Sequence, residues 1–89
     1  ADRSSQWSVG MRNHLQTEYV QILNRLADLY ARDRRLEEAI DTAQMSLQQD
    51  AYHESTYRRL MRYHACTDNP EAALRVYHTL EKLLNEFFL

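Results

Sequence analysis

Apolar residues recur along most of this chain at intervals of three or four. Met11, Leu15, Tyr19, Ile22, Leu26 and Tyr30 form one such row. The row predicts a helix over about 11–31 with those residues on its buried face. Val20, Leu23, Ala27 and Leu29 widen that face. Gly10 blurs the start, and Ser8 and Asn13 are both candidate N-caps. A polar run at 32–35 then breaks the pattern. Leu36, Ala39, Ile40, Ala43 and Leu47 predict a second helix over about 36–48. Glu37 and Glu38 stand in its first turn, where the helix dipole favours negative charge. Residues 50–53 connect it to a third helix over about 54–66, on which Tyr57, Leu60, Met61 and His64 share a face. Asn69-Pro70-Glu71 is a helix start: a capping side chain, then a proline where no N–H is needed. The fourth helix carries Ala73, Leu74, Tyr77, Leu80, Leu84 and Phe87. No apolar–polar alternation of useful length occurs, so the expected class is all-α without strands. Short connections imply antiparallel neighbours.

The second half of this pattern can be laid on the first by a single shift. Arg25-Leu26 falls on Arg59-Leu60, Ala31 on Ala65, Glu37 on Glu71 and Ala39 on Ala73. These identities keep their order and align both helix pairs. The expected organisation is one domain over 1–89, with a lead-in at 1–10, one repeat at about 20–53 and another at about 54–87.

Composition narrows the options. One Gly and one Pro in 89 residues are too few for the turns of a sandwich or barrel. The formal net charge of −2 lacks the basic excess of a domain that holds nucleic acid alone. A single cysteine, Cys66, allows no intrachain disulfide and fits a reducing, cytoplasmic setting. No run reaches the ~18 apolar residues of a membrane span. The first ten residues carry no signal-peptide pattern, and the missing initiator Met points to a piece of a longer protein.

The shift matches the period of tetratricopeptide repeats, about 34 residues, and the packing positions resemble theirs. They are Leu23, Leu26, Ala27, Tyr30, Leu36, Ala39 and Leu47 in the first repeat. In the second they are Tyr57, Leu60, Met61, His64, Pro70, Ala73, Tyr77 and Leu80. Small alanines let helices approach while large residues fill the surrounding space. Two departures stand out. Arg34 and Asp68 occupy turns where such repeats usually have Gly, and Met61 replaces a small residue. A left-handed backbone at Arg34 would cost roughly 1 kcal/mol.

A narrower resemblance runs from about Trp7 to Glu86. Asp50, Glu54, Tyr57-Arg58 and Leu60-Met61-Arg62, followed by Ala73-Leu74, Tyr77 and Leu83-Leu84-Asn85-Glu86, resemble the bacterial transcriptional activator domain. This domain is found in antibiotic regulatory protein–type regulators. Upstream, Trp7, Arg12 and Leu26-Ala27-Asp28-Leu29 are similar to that family's pattern. Phe87-Phe88-Leu89 departs from it. The resemblance implies stacked helical hairpins and a domain that usually follows a winged-helix DNA-binding domain. It further implies self-association or contacts within a larger regulator, and no direct nucleic-acid binding by these residues.

Candidate chemistry is sparse. His14, His53, His64 and His78 are scattered without ligand spacing, so no metal site is expected. Cys66 lacks a base, because His64 two residues away points to another side of the helix. No Gly-rich loop offers a phosphate cradle. The expectation is a non-enzyme without cofactors that binds protein: itself, another domain of the same regulator or a peptide segment. Asn24, Asp28, Arg58 and Arg62 take the positions that line the groove in tetratricopeptide domains. The plainer alternative is a solvated helix face with an Asp28–Arg62 pair worth little. The apolar end, with Leu84, Phe87 and Phe88, is a candidate self-association surface. The alternative is a stand-alone adaptor that binds a peptide or helix in the groove.

Overall fold

The computed structural model describes residues 3–88, with side-chain surroundings for residues 10–87. It contains α1 (Arg3–Arg32), α2 (Leu36–Gln49), α3 (Glu54–Cys66) and α4 (Pro70–Phe88). The chain is all-α, with no strand among the described residues. α1 packs on α2, α2 on α3 and α3 on α4. The result is a slab of 55 × 36 × 13 Å, one layer of helices thick.

α2, α3 and α4 begin where the pattern places them. α1 does not: it starts at Arg3, so most of the lead-in is helix, and Ser8 and Asn13 lie inside it rather than capping it. Gly10 costs a helix only about 1 kcal/mol relative to Ala, which the surrounding turns outweigh. With 30 residues, α1 far outreaches the 14-residue α2 beside it. Its N-terminal half therefore overhangs, and residues 10–19 are all exposed.

The core lies on a different edge of two helices from the one the spacing favours. On α1 the buried side chains are Val20, Leu23, Asn24 and Ala27, whereas Met11, Leu15, Tyr19, Ile22 and Leu26 are exposed. On α4 the inward residues are Ala72, Val76 and Leu80; Leu74 and Tyr77 face outward. Periodicity fixes a broad apolar stripe but not the edge that meets a neighbour. Here the alanines choose. Ala27, Ala39 and Ala43 are fully buried and let α1 and α2 approach closely around Leu60 and Tyr63. Tyr30, Leu36, Ile40, Leu47 and Val76 close the margins.

Both hairpin turns close in the same way, one repeat apart. Arg34 has φ 63° and Asp68 φ 58°. The Arg35 N–H donates to the Tyr30 carbonyl at 2.9 Å, and the Arg34 N–H to Ala31 at 3.1 Å. In the second turn the Asn69 N–H donates to His64 at 2.9 Å, and the Asp68 N–H to Ala65 at 3.2 Å. This is the Schellman closure, with a non-glycine residue in the left-handed position. The Asn69 side chain then accepts from the Ala72 N–H at 3.3 Å, capping α4 as the sequence predicts.

Candidate interaction surface

Asp28 is the centre of a charged cluster between α1 and α3. Arg59 holds it with two bonds, Nε to Oδ1 and Nη2 to Oδ2, both at 3.1 Å. The Tyr63 hydroxyl donates to the same carboxylate, and Arg62 reaches it at 3.5 Å. Burial pushes the Asp28 carboxyl up, but the Tyr63 hydroxyl, Arg59 and Arg62 together outweigh that and hold it below its usual range. Burial and the neighbouring Asp28 push the Tyr63 hydroxyl up to about 12. Tyr63 is thus a neutral donor at any physiological pH.

Below this cluster runs a buried polar seam. The Asn24 amide donates to Thr56 Oγ1 at 3.0 Å, and Thr56 lies 3.4 Å from Ser46 Oγ and 3.0 Å from His53 Nδ1. Three helices and the α2–α3 connection therefore meet on one hydroxyl. No buried side-chain polar atom among the described residues lacks a partner, so the seam locks helix register without a desolvation penalty.

The most open feature is apolar. Leu15, Tyr19, Ile22, Leu26 and Leu29 run along the outer side of α1, each more than a third exposed. Leu15, Tyr19 and Ile22 wall a shallow groove of about 630 Å³ at the end of α2, where the Gln16 amide donates to the Gln49 carbonyl.

A family model for the bacterial transcriptional activator domain matches residues 1–88. The chain belongs to that family. No curated protein and no solved structure matches it.

Several residues that carry the activator-domain pattern hold the scaffold. Asp50 Oδ1 accepts from the Tyr52 N–H at 3.0 Å and sets the α2–α3 connection. The Tyr57 hydroxyl donates to the Ala51 carbonyl at 2.6 Å, fastening the same connection to α3. Leu60 is core. Arg58 donates to Glu54 at 2.7 Å along its own helix and takes no part in the Asp28 cluster. Of the four groove candidates, the structure brings only Asp28 and Arg62 together. Asn24 is buried in the polar seam, and Arg58 stands apart. Arg59 and Tyr63, which the sequence reading did not assign to the groove, make the strongest contacts to Asp28.

At the other end, Leu84 and Phe87 are exposed, and the Phe87 ring meets Tyr52 edge to face at 5.3 Å. The side chains of Trp7 and Phe88 lie outside the described part of the structure. Cys66 is exposed, and His64 is half-buried beside Arg75. Burial and the Arg75 charge lower the His64 pKa. Among the described residues no three potential ligands gather as a metal site, and no helix is long and apolar enough to cross a membrane.

Proposed function

We propose that this domain is a non-catalytic protein-interaction module of a bacterial transcription regulator, built as two tetratricopeptide-like hairpins over about 20–53 and 54–87. The observation that carries this reading is the open apolar row on α1, in a chain whose ionisable cluster is occupied by internal structural bonds. Membership of the activator-domain family supports the regulatory context. The partner is protein: another domain, a peptide segment or a second copy. The net charge of −2 leaves DNA contact to another domain. A cytoplasmic setting, with no cofactor, is consistent with such a role.

Two further surfaces join the α1 row in this reading. Asp28 and Arg62, with Arg58 further along α3 and Asn24 fixing the helix beneath, form a polar edge for a partner segment. Leu84, Phe87 and Phe88 form an apolar end suited to self-association. Light scattering over a concentration series tests the second surface. The expected result is a reversible dimer that dissociates on Phe87→Asp or Phe88→Asp. A monomer at every concentration would refute self-association and leave binding to a different protein.

A further inference from the structure

The two hairpins differ in what covers their first helix. On α3, Thr56, Leu60 and Tyr63 are 0, 2 and 1% exposed; Leu60 and Tyr63 cluster with Ala27 and Ala43 of the preceding hairpin, and Thr56 bonds to its Asn24. One repeat earlier, α1 carries Ile22, Leu26 and Leu29, which are 57, 37 and 57% exposed. The charged neighbour repeats as well. Arg59 on α3 grips Asp28 with two bonds. Its counterpart Arg25 is exposed and makes no ion pair among the described residues. α1 therefore shows to solvent the same kind of face, apolar row plus flanking arginine, that α3 buries.

We propose that this face of α1 docks a helical hairpin of a partner domain, in the way α3 docks on α1 and α2. The partner carries small side chains where this chain has Ala27 and Ala43, and a carboxylate where it has Asp28, to receive Arg25. This deepens the interaction reading above and rests on it.

Two observations identify the occupant. A hairpin joined to α1 in the same repeat register needs a turn at 16–19, the counterpart of the connection at 50–53. Those residues are in the middle of continuous helix, so the hairpin belongs to a different unit. A second copy stacked head to tail is also unsuited. It would offer Met61, Arg62 and Tyr77, which stand one repeat beyond Ala27, Asp28 and Ala43. Arg62 would then face Arg25, and two bulky side chains would stand where close approach requires alanines.

The test fuses a copy of residues 20–53, through a flexible glycine–serine linker, ahead of the intact chain. Lacking its own α3, that copy exposes its Ala27, Asp28 and Ala43 face. Amide hydrogen exchange at residues 22–29 of the intact chain is the readout. Docking should slow exchange there by about tenfold or more relative to the unfused protein. Arg25→Glu in the intact chain should return it to baseline. Adding Asp28→Arg in the copy alone should restore the protection. Circular dichroism of the fusion first establishes that the added hairpin is helical; unchanged exchange then, or protection indifferent to both charge reversals, overturns the proposal. So does a dimer of the unfused protein that is lost on Leu26→Asp, because a second copy would then occupy the face. None of these readouts involves the apolar end of α4, so this proposal and self-association through that end fail separately.

Discussion

The first hairpin has a face covered by the next helix and the second leaves the matching face open, although their turns match bond for bond. Between α1 and α2, Ala27, Ala39 and Ala43 are wholly buried. The matching positions of the second hairpin hold Met61, Ala73 and Tyr77. Met61 and Ala73 are half-buried there, and Tyr77 is exposed. Both turns nevertheless place a left-handed residue at the same point and repeat the same pair of backbone bonds. Backbone closure of a hairpin and burial of its outer face are thus separable. The turn needs a helix end and one residue that tolerates positive φ. The burial needs a following helix, which α3 supplies to the first hairpin.

Substitutions can break this contrast, and the largest effect should come from the residue that ties the hairpins together. Tyr63 fills the core with its ring and donates its hydroxyl to Asp28. Tyr63→Ala should cost about 3–5 kcal/mol, and Tyr63→Phe about 1–2 kcal/mol, both measured by urea unfolding. A loss below about 1 kcal/mol for Tyr63→Ala would mean that the hairpins do not share a core.

Exchanging the key packing residue sharpens the comparison next. Ala27→Met brings a long side chain into a fully closed contact and should cost about 1–3 kcal/mol. Met61→Ala, at a half-buried position, should cost less. Equal losses in thermal unfolding would contradict the difference in burial.

The turns should respond alike instead. Arg34→Gly relieves a left-handed non-glycine residue and should add about 1 kcal/mol. Asp68→Gly should add less, since Asp tolerates that conformation better. In the overhang, a Cβ at Gly10 meets nothing within 4 Å. Gly10→Ala should therefore raise helix content slightly, by about 0.5–1 kcal/mol locally, read by circular dichroism.

The smallest effect is that of pH, because the Asp28 side chain is 38% exposed and its pairs are partly screened. Its folded-state pKa lies below the ordinary value of 3.8. Its stabilising contribution is therefore complete above that value and is lost as pH falls through the lower, folded-state one. Asp28→Asn should flatten the acid limb of a stability-versus-pH curve. An unchanged limb would assign acid unfolding to other carboxylates. Tyr63 acts at the opposite end: its raised pKa predicts stability lost as pH climbs from 10 towards about 12.

Helix number and the last three helix starts are legible in the sequence because local signals encode them. Asn69-Pro70 is such a signal, and it acts within one turn of helix. The buried edges of α1 and α4 are not legible, because which edge of an apolar stripe turns inward depends on the size of residues on a neighbouring helix. Leu26 and Ala27 illustrate this: the larger residue has the stronger apolar signal, yet the smaller one is buried. Half of the Asp28 cluster is accessible. Repeat geometry pairs Asp28 with Arg62, while Arg59 carries a usable signal in its identity with Arg25. Tyr63 is also within reach, since Thr56, Leu60 and Tyr63 step by four and three along α3.

The order of packing along the slab has a kinetic consequence. Each helix packs mainly on the one before and the one after it in the chain. Most native contacts lie within a helix or between successive helices, so contact order is low. Folding should be fast, on the order of microseconds to milliseconds. It can start in either hairpin and spread to the other.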